Sequence, residues 1–238
     1  MTEPPTRRRL GPQERRAQLI AATGEVLAEL GYQAATADAI ATRAGVSKGL
    51  LWHYFSDIDA LFEATAHHTL LELRRAVGAR LDLAAPAPDV IRAAVRGAAD
   101  LRHTHAAHRR ALEAIVLNLR TADGGMRLGI KDFEDTYLEQ EAIFRRGQAD
   151  GDFRADLDPR VMAVTYQGAV DAMLGYLDAH PDADTAGYAR TVAEILLGGM
   201  TAPSSTNAPP AAPTRTRRPS SRPPAVQGNS SRAGGSSS

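Results

Sequence analysis

No cysteine occurs among the 238 residues. That removes disulfides, thiolate metal sites and cysteine nucleophiles together, and it fits a reducing compartment. Nowhere does an apolar run reach the roughly 18 residues a membrane helix needs. The opening stretch MTEPPTRRRLGP is charged and Pro-rich, with no apolar leader segment, so a cytoplasmic protein without a membrane partner is expected. The formal net charge is zero, which at face value argues against a general nucleic-acid binder. Catalytic signatures are also missing: there is no Gly-rich phosphate loop, no nucleophile elbow, no metalloprotease motif and no pair of Glu-x-x-His units. The expectation is a protein that is not an enzyme and carries no cofactor and no metal.

Aromatic residues are scarce, with one Trp, six Tyr and five Phe. Yet Trp52, Tyr54 and Phe55 crowd into AGVSKGLLWHYF at 44–55, beside His53 and just after Lys48. Successive residues on a helix point in different directions, so one core cannot bury them all.

Most of the chain reads as helical. From Pro12 to Leu30 apolar residues recur on one face, and Gly31 follows as a stop. Thr36 is placed to cap a short helix over Ala37–Ala44, Gly45 to end it in a tight turn, and Ser47 to cap a third helix. Two short helices joined by a Gly-containing turn form a helix-turn-helix, whose second helix enters the major groove. On that helix Leu51 and Phe55 continue the inward side of Val46, which leaves Lys48 with Trp52 and Gly49 with His53 outward.

Residues 15–62 resemble the N-terminal DNA-binding domain of the TetR family of bacterial transcriptional regulators. The resemblance is carried by Gly31-Tyr32, Thr36, the block from Ile40 to Ser47 containing AGVS, and the pattern Gly49, Leu51, aromatic, Phe55. It implies that Lys48, Gly49 and Leu50 lie nearest base edges. A lysine can donate to guanine O6 or N7, a glycine admits close backbone approach, and a leucine can touch a thymine methyl. Thr36, Arg43, Ser47, Trp52, His53 and Tyr54 complete the expected DNA-binding set, with Thr36, Arg43, Trp52 and Tyr54 as candidates for phosphate. Leu50 and Ile58 depart from the family, where a small or hydroxyl residue and a basic residue are usual. One phosphate contact is therefore expected to be missing, with more reliance on Arg7–Arg9. Residues 1–65 hold seven basic and eight acidic side chains, so a favourable surface must be local.

Beyond this head, Ser56 is expected to open a helix running to about residue 80, with Asp59 completing a weak capping box. Further helices are read over 89–100, 102–120, 125–148, 159–179 and 184–199. Gly147 and Gly151 are taken to end one of them, and Asp158-Pro159 to start the next. The fold class is all-α with about nine helices: a basic arm at 1–11, a helix-turn-helix domain at 12–56, a ligand-binding and dimerisation domain at 57–200, and a Pro/Ser/Arg-rich tail at 201–238. The tail holds five arginines, no acid and one large aliphatic residue, Val226, so it is expected to be disordered.

The last two helices carry apolar stripes, Met162, Ala169 and Leu177 on one and Tyr188, Val192, Ile195 and Leu196 on the other. Two copies of each could form an isologous four-helix homodimer, or both stripes could face their own core. The resemblance further implies a small-molecule pocket, for which Leu101, His105, Leu112, Leu119, Phe133, Tyr137, Tyr166 and Met173 are the candidates. The expected activity is a repressor on a palindromic double-stranded operator, released by a small-molecule effector. A helical architectural DNA-binding protein without ligand stays open. So does a metal sensor using the histidines at 67, 68, 103, 105 and 108.

Overall fold

Caps written into the sequence set the helix ends. In the computed structural model, which describes residues 10–201, α1 (Pro12–Leu30) starts with Pro in its first turn and stops at Gly31, whose φ is 77°. The Thr36 hydroxyl accepts from Ala39 N at 3.3 Å to open α2 (Ala37–Ala44). Gly45, at φ 65°, closes it in the left-handed region that glycine enters without steric cost. Ser47 Oγ then accepts from Leu50 N at 3.2 Å and starts α3 (Lys48–Tyr54). α1 and α2 have the ends expected from the sequence and α3 the expected start, but α3 closes at Tyr54, with Phe55 in extended backbone just beyond it.

The later boundaries differ in places. Asp57, not Ser56, caps α4 (Ile58–Gly78): its Oδ1 accepts from Ala60 N at 2.7 Å, and the Ser56 hydroxyl only supports it, donating to Oδ2 at 3.2 Å. Asp59 faces Arg127, 3.6 Å away, instead of closing a capping box. Pro88 lies in the first turn of α5 (Ala87–Thr104), where its missing N–H has no partner to lose. The chain breaks at His105, and α6 covers Ala106–Asn118.

Residues 119–129 form a turn, not helix. Thr121 N donates to Gly125 O at 2.9 Å and Arg127 N to Leu119 O at 3.2 Å, while Gly124 has φ 85°. A 3₁₀ segment at Ile130–Phe133 leads into α7 (Glu134–Ala149). Gly147 sits inside α7 and does not end it: a Cβ there would collide with the Phe153 ring and Ala87. Asp158 caps α8 (Pro159–Ala179) by accepting from Arg160 N at 2.7 Å, and Asp184 caps α9 (Thr185–Met200). Among the described residues there are nine α-helices and no strand, only two isolated bridges. The 1–9 part of the arm and nearly all of the tail lie outside the described residues.

Two cores organise the helices. One joins α1, α2, α3 and the first half of α4 through Leu19, Leu27, Ile40, Leu51, Phe55 and Leu61, and is completed by Ala111 and Ile115 of α6 with Leu119 and Leu128. The other packs α5, α7, α8 and α9 around Ile91, Val95, Phe144, Phe153, Met173, Leu177 and Leu197. Helix α6 borders both regions. Ala111 and Ile115, four residues apart on one face, are buried in the head core, while Leu112 and Val116 pack partly against that core and, with Arg109, also line a cavity on the other side.

Candidate nucleic-acid interface and ligand cavity

The helix-turn-helix divides its side chains between core and surface. Leu51 is fully buried and Phe55 nearly so. That anchors α3 from behind, at a removal cost of about 2–5 kcal/mol for a leucine truncated to alanine. Lys48, Gly49 and His53 are exposed, and Trp52 remains 38% exposed, far more than a core indole would be. Nothing lies close to where a Gly49 Cβ would stand; the nearest atom is Ser47 Oγ at 4.0 Å. A duplex could therefore approach the backbone there.

Thr36, Lys48 and Trp52 border one shallow groove with Gln33, Ala37 and Ser56. The N-terminal end of α2 thus faces the outer side of α3, and amide N–H groups at a helix start favour phosphate. Ser47 is exposed beside them, while Leu50 and Tyr54 are half-buried. Tyr54 packs on the head core with its ring 5.2 Å from that of His53, edge to face.

Two cations of the expected set are already paired. Lys48 Nζ lies 2.9 Å from Asp38 Oδ2, both side chains at least half exposed. Arg43 is held by α1, its guanidinium 3.2 Å from Glu25 and 2.5 Å from Glu29. The Arg43 hydrogen bonds and charge hold the Glu29 carboxyl below its ordinary range, and the same pairing raises the Arg43 guanidinium. Arg43 is thus tied to the acidic side of α1. The role of Asp38 is not visible in the sequence, because its spacing from Lys48 has no meaning until the turn folds α2 against α3.

A second site is a cavity of about 510 Å³ enclosed by α4, α5, α6, α7 and α8, within the size range of small-molecule sites. Of the eight expected lining residues it gathers Leu101, Leu112, Phe133, Tyr137 and Tyr166. The other three lie elsewhere. Leu119 is buried in the head core, Met173 in the second core, and His105 stands at the α5–α6 junction with its ring 5.7 Å from that of His108.

The polar lining was not legible beforehand: Arg74, Arg109, Thr136, Gln140, Gln167 and Asp171. Gln140 Nε2 donates to Gln167 Oε1 at 2.6 Å, and Gln167 Nε2 donates to Asp171 Oδ1 at 2.8 Å. Asp171 stays exposed as a residue, yet partial desolvation raises its carboxyl above the ordinary value, with Gln167 and Arg109 opposing. Burial likewise raises the Tyr166 and Tyr137 phenols.

Of the expected dimer residues, Met162, Leu177 and Leu196 are buried in the protomer's own core, and Ala169, Tyr188 and Val192 are partly buried against it. Ile195 is exposed at 72%. The outward apolar stripe is rotated from the expected one and holds Val161, Val164 and Tyr176 on α8 with Ile195 on α9. Among the described residues no group of three or more His, Asp or Glu side chains is placed to hold a metal ion, and no helix is long and apolar enough to cross a membrane.

The capped α2–turn–α3 unit, with an anchored inner side and an open outer side, defines a helix-turn-helix DNA-binding head on an all-helical body. Residues 19–65 match the family model described as bacterial regulatory proteins, tetR family. The HTH-type transcriptional regulator BetI of Ectopseudomonas mendocina (strain ymp) is 48% identical over 66 residues, 28% of this chain and 34% of that protein. BetI of Burkholderia mallei (strain NCTC 10229) is 44% identical over 81 residues, 34% and 42% of the two chains. The chain thus matches only about a third to two-fifths of the length of these curated relatives.

Solved structures share the fold over much more of the chain. The fatty acid degradation regulator FadR from Bacillus halodurans has a TM-score of 0.66 at 21% identity, covering 81% of this chain and 98% of its own. TylP, a TetR regulator from Streptomyces fradiae, has a TM-score of 0.61 at 23% identity, covering 80% and 88%. Residues 19–65 thus carry the TetR-family DNA-binding region, the curated relatives matched there are transcriptional regulators, and the helical body shares its fold with TetR-type structures.

Proposed function

We propose that this protein is a cytoplasmic, ligand-responsive transcriptional regulator: a homodimer that represses from a palindromic operator and is released when a small molecule enters the α4–α8 cavity. The observation that carries the reading is α3. Its Leu51 has no exposure, while Lys48, Gly49 and Trp52 stand open to solvent on the opposite side. Lys48 reads a guanine edge once it leaves Asp38. Trp52 Nε1–H, the Thr36 and Ser47 hydroxyls and the Tyr54 hydroxyl donate to phosphates. Arg43 stays with Glu25 and Glu29 and contributes little directly.

Two heads must stand about one helical turn of DNA apart, roughly 34 Å. The exposed stripe of Val161, Val164, Tyr176 and Ile195 is the surface on which two protomers would pair. Helix α6 supplies the coupling, because it walls the cavity with Leu112 and Val116 and supports α1 with Ala111 and Ile115. A ligand that prefers one placement of α6 therefore biases the placement of the heads. The cavity favours a ligand-controlled regulator over an architectural protein. The test is a mobility shift of the full chain on the DNA upstream of its own gene. Retardation should exceed that of an unrelated duplex by about 10³-fold or more at physiological salt. Equal binding to both duplexes would remove operator recognition.

A further inference from the structure

The cavity's polar atoms point to the chemistry of its occupant, an inference that rests on the ligand-responsive reading above. Five buried side-chain polar atoms have no hydrogen-bond partner among the described residues, and four of them belong to residues lining this one cavity: Arg74 Nε, Arg109 Nη1, Thr136 Oγ1 and Gln140 Oε1. Native interiors leave few such groups unsatisfied. Here they gather on α4, α6 and α7, in an otherwise apolar chamber walled by Leu73, Ile91 and Leu101. Thr136 is itself 8% exposed, so water does not relieve its hydroxyl.

Charge is already balanced at both guanidinium groups, since Arg74 pairs with Glu139 and Arg109 with Asp178. Asp171 adds a further carboxylate on the same wall. An anionic ligand would meet that excess negative charge. A cationic one brings donors but no acceptor, leaving the two guanidinium N–H groups unmet. The inventory of unmet groups asks for an acceptor towards Arg74, Arg109 and Thr136, and a donor towards Gln140.

We infer that the cavity binds an uncharged amphiphile, with an apolar body against the leucines and a head bearing both a carbonyl or hydroxyl acceptor and a hydrogen-bond donor. The terminal torsions of Gln140 and of the two arginines are soft, and small rotations turn these atoms from under the wall onto the head group. The empty protein is less stable for carrying these groups unpaired, and ligand binding recovers that loss.

Thermal melting of the full chain with three probes of equal chain length, octanamide, octanoate and octylammonium at neutral pH, tests the inference. Octanamide should raise the midpoint more than either ion. Thr136→Val should raise the ligand-free midpoint by roughly 2–4 °C, because it deletes an unpaired polar atom at similar volume, whereas Gln140→Leu also removes the Nε2 bond to Gln167 and should not; each should lose at least half of the octanamide shift. A shift from octanoate or octylammonium as large as that from octanamide overturns the uncharged class but leaves the cavity a ligand site. No shift from any probe overturns the cavity as a ligand site as well. Variants that melt lower and keep the full octanamide shift would show that the unpaired atoms are not the head-group contacts.

Discussion

Removing Asp38 should strengthen DNA binding, although it deletes a hydrogen bond. Lys48 Nζ and Asp38 Oδ2 are 2.9 Å apart, with side chains 50% and 73% exposed. An ion pair so open to water contributes about 0–1 kcal/mol, whereas a well-placed contact to a guanine edge contributes about 1–3 kcal/mol. Docking therefore favours exchange of the carboxylate for the base. The exchange costs what the pair contributed, together with the repulsion between Asp38 and nearby phosphates.

Asp38→Asn removes both costs and keeps the side chain's size, so affinity should rise by up to about 1 kcal/mol, or roughly fivefold. The fold should change little. The carboxylate lies in the first turn of α2, where it favours the helix by about 0.3–1 kcal/mol, and the midpoint should fall by a few degrees at most. Fluorescence anisotropy on the upstream fragment over a salt series is the assay, with Lys48→Ala measured in both backgrounds. Lys48→Ala should lose about 1–3 kcal/mol and relax preference at one base pair, and should cost more when Asp38 is absent. Weaker binding by Asp38→Asn would refute the reasoning, because Asp38 would then be aiming the lysine and not withholding it.

Trp52→Ala and Tyr54→Phe should weaken binding across all DNA sequences alike, with Trp52→Ala reducing the salt slope little because an indole neutralises no phosphate; filter binding on specific and unrelated duplexes checks both. Gly147→Ala should destabilise by about 1–3 kcal/mol in denaturant melts, because its methyl group meets Phe153 and Ala87 within a packed core. Asp171→Asn should raise the melting midpoint at neutral pH. The folded protein holds the Asp171 proton more tightly than the unfolded chain, so this group's contribution is most favourable below the ordinary value of 3.8 and is lost as pH rises through the higher folded value. The advantage of the variant should therefore shrink in acid, as melts over a pH series would read.

Both ends of α1 and α2 and the start of α3 are legible in the sequence because they are set by local chemistry. Thr36, Gly45 and Ser47 each act within four residues of chain, and the pattern of Leu51 against Lys48 and Trp52 follows from helical spacing alone. The cap of α4 falls at Asp57 and not at Ser56 because two cap-competent residues adjoin, and only geometry shows which accepts from the turn. The break that the sequence places at 121–124 widens to 119–129, because Gly124 and the ladder from Leu119 to Arg127 impose a reversal on flanking residues whose apolar spacing reads as helix.

Arg43 looked free in sequence because Glu25 and Glu29 come from another helix. The cavity's polar groups stayed hidden for the same reason. Arg74, Arg109, Gln140 and Asp171 lie on four helices, and no window of sequence brings them together. Apolar periodicity selected Leu119 and Met173 for the cavity because it identifies a buried side without saying what lies opposite.

Thirteen residues of α6 serve as a party wall between two tenants. A substitution made there to suit a new small molecule also shifts the footing of α1, so selectivity and DNA reading would change together. Re-engineering this protein to answer a different compound should therefore draw its changes from α5, α7 and α8, which touch the chamber without carrying the head, and leave α6 as it stands.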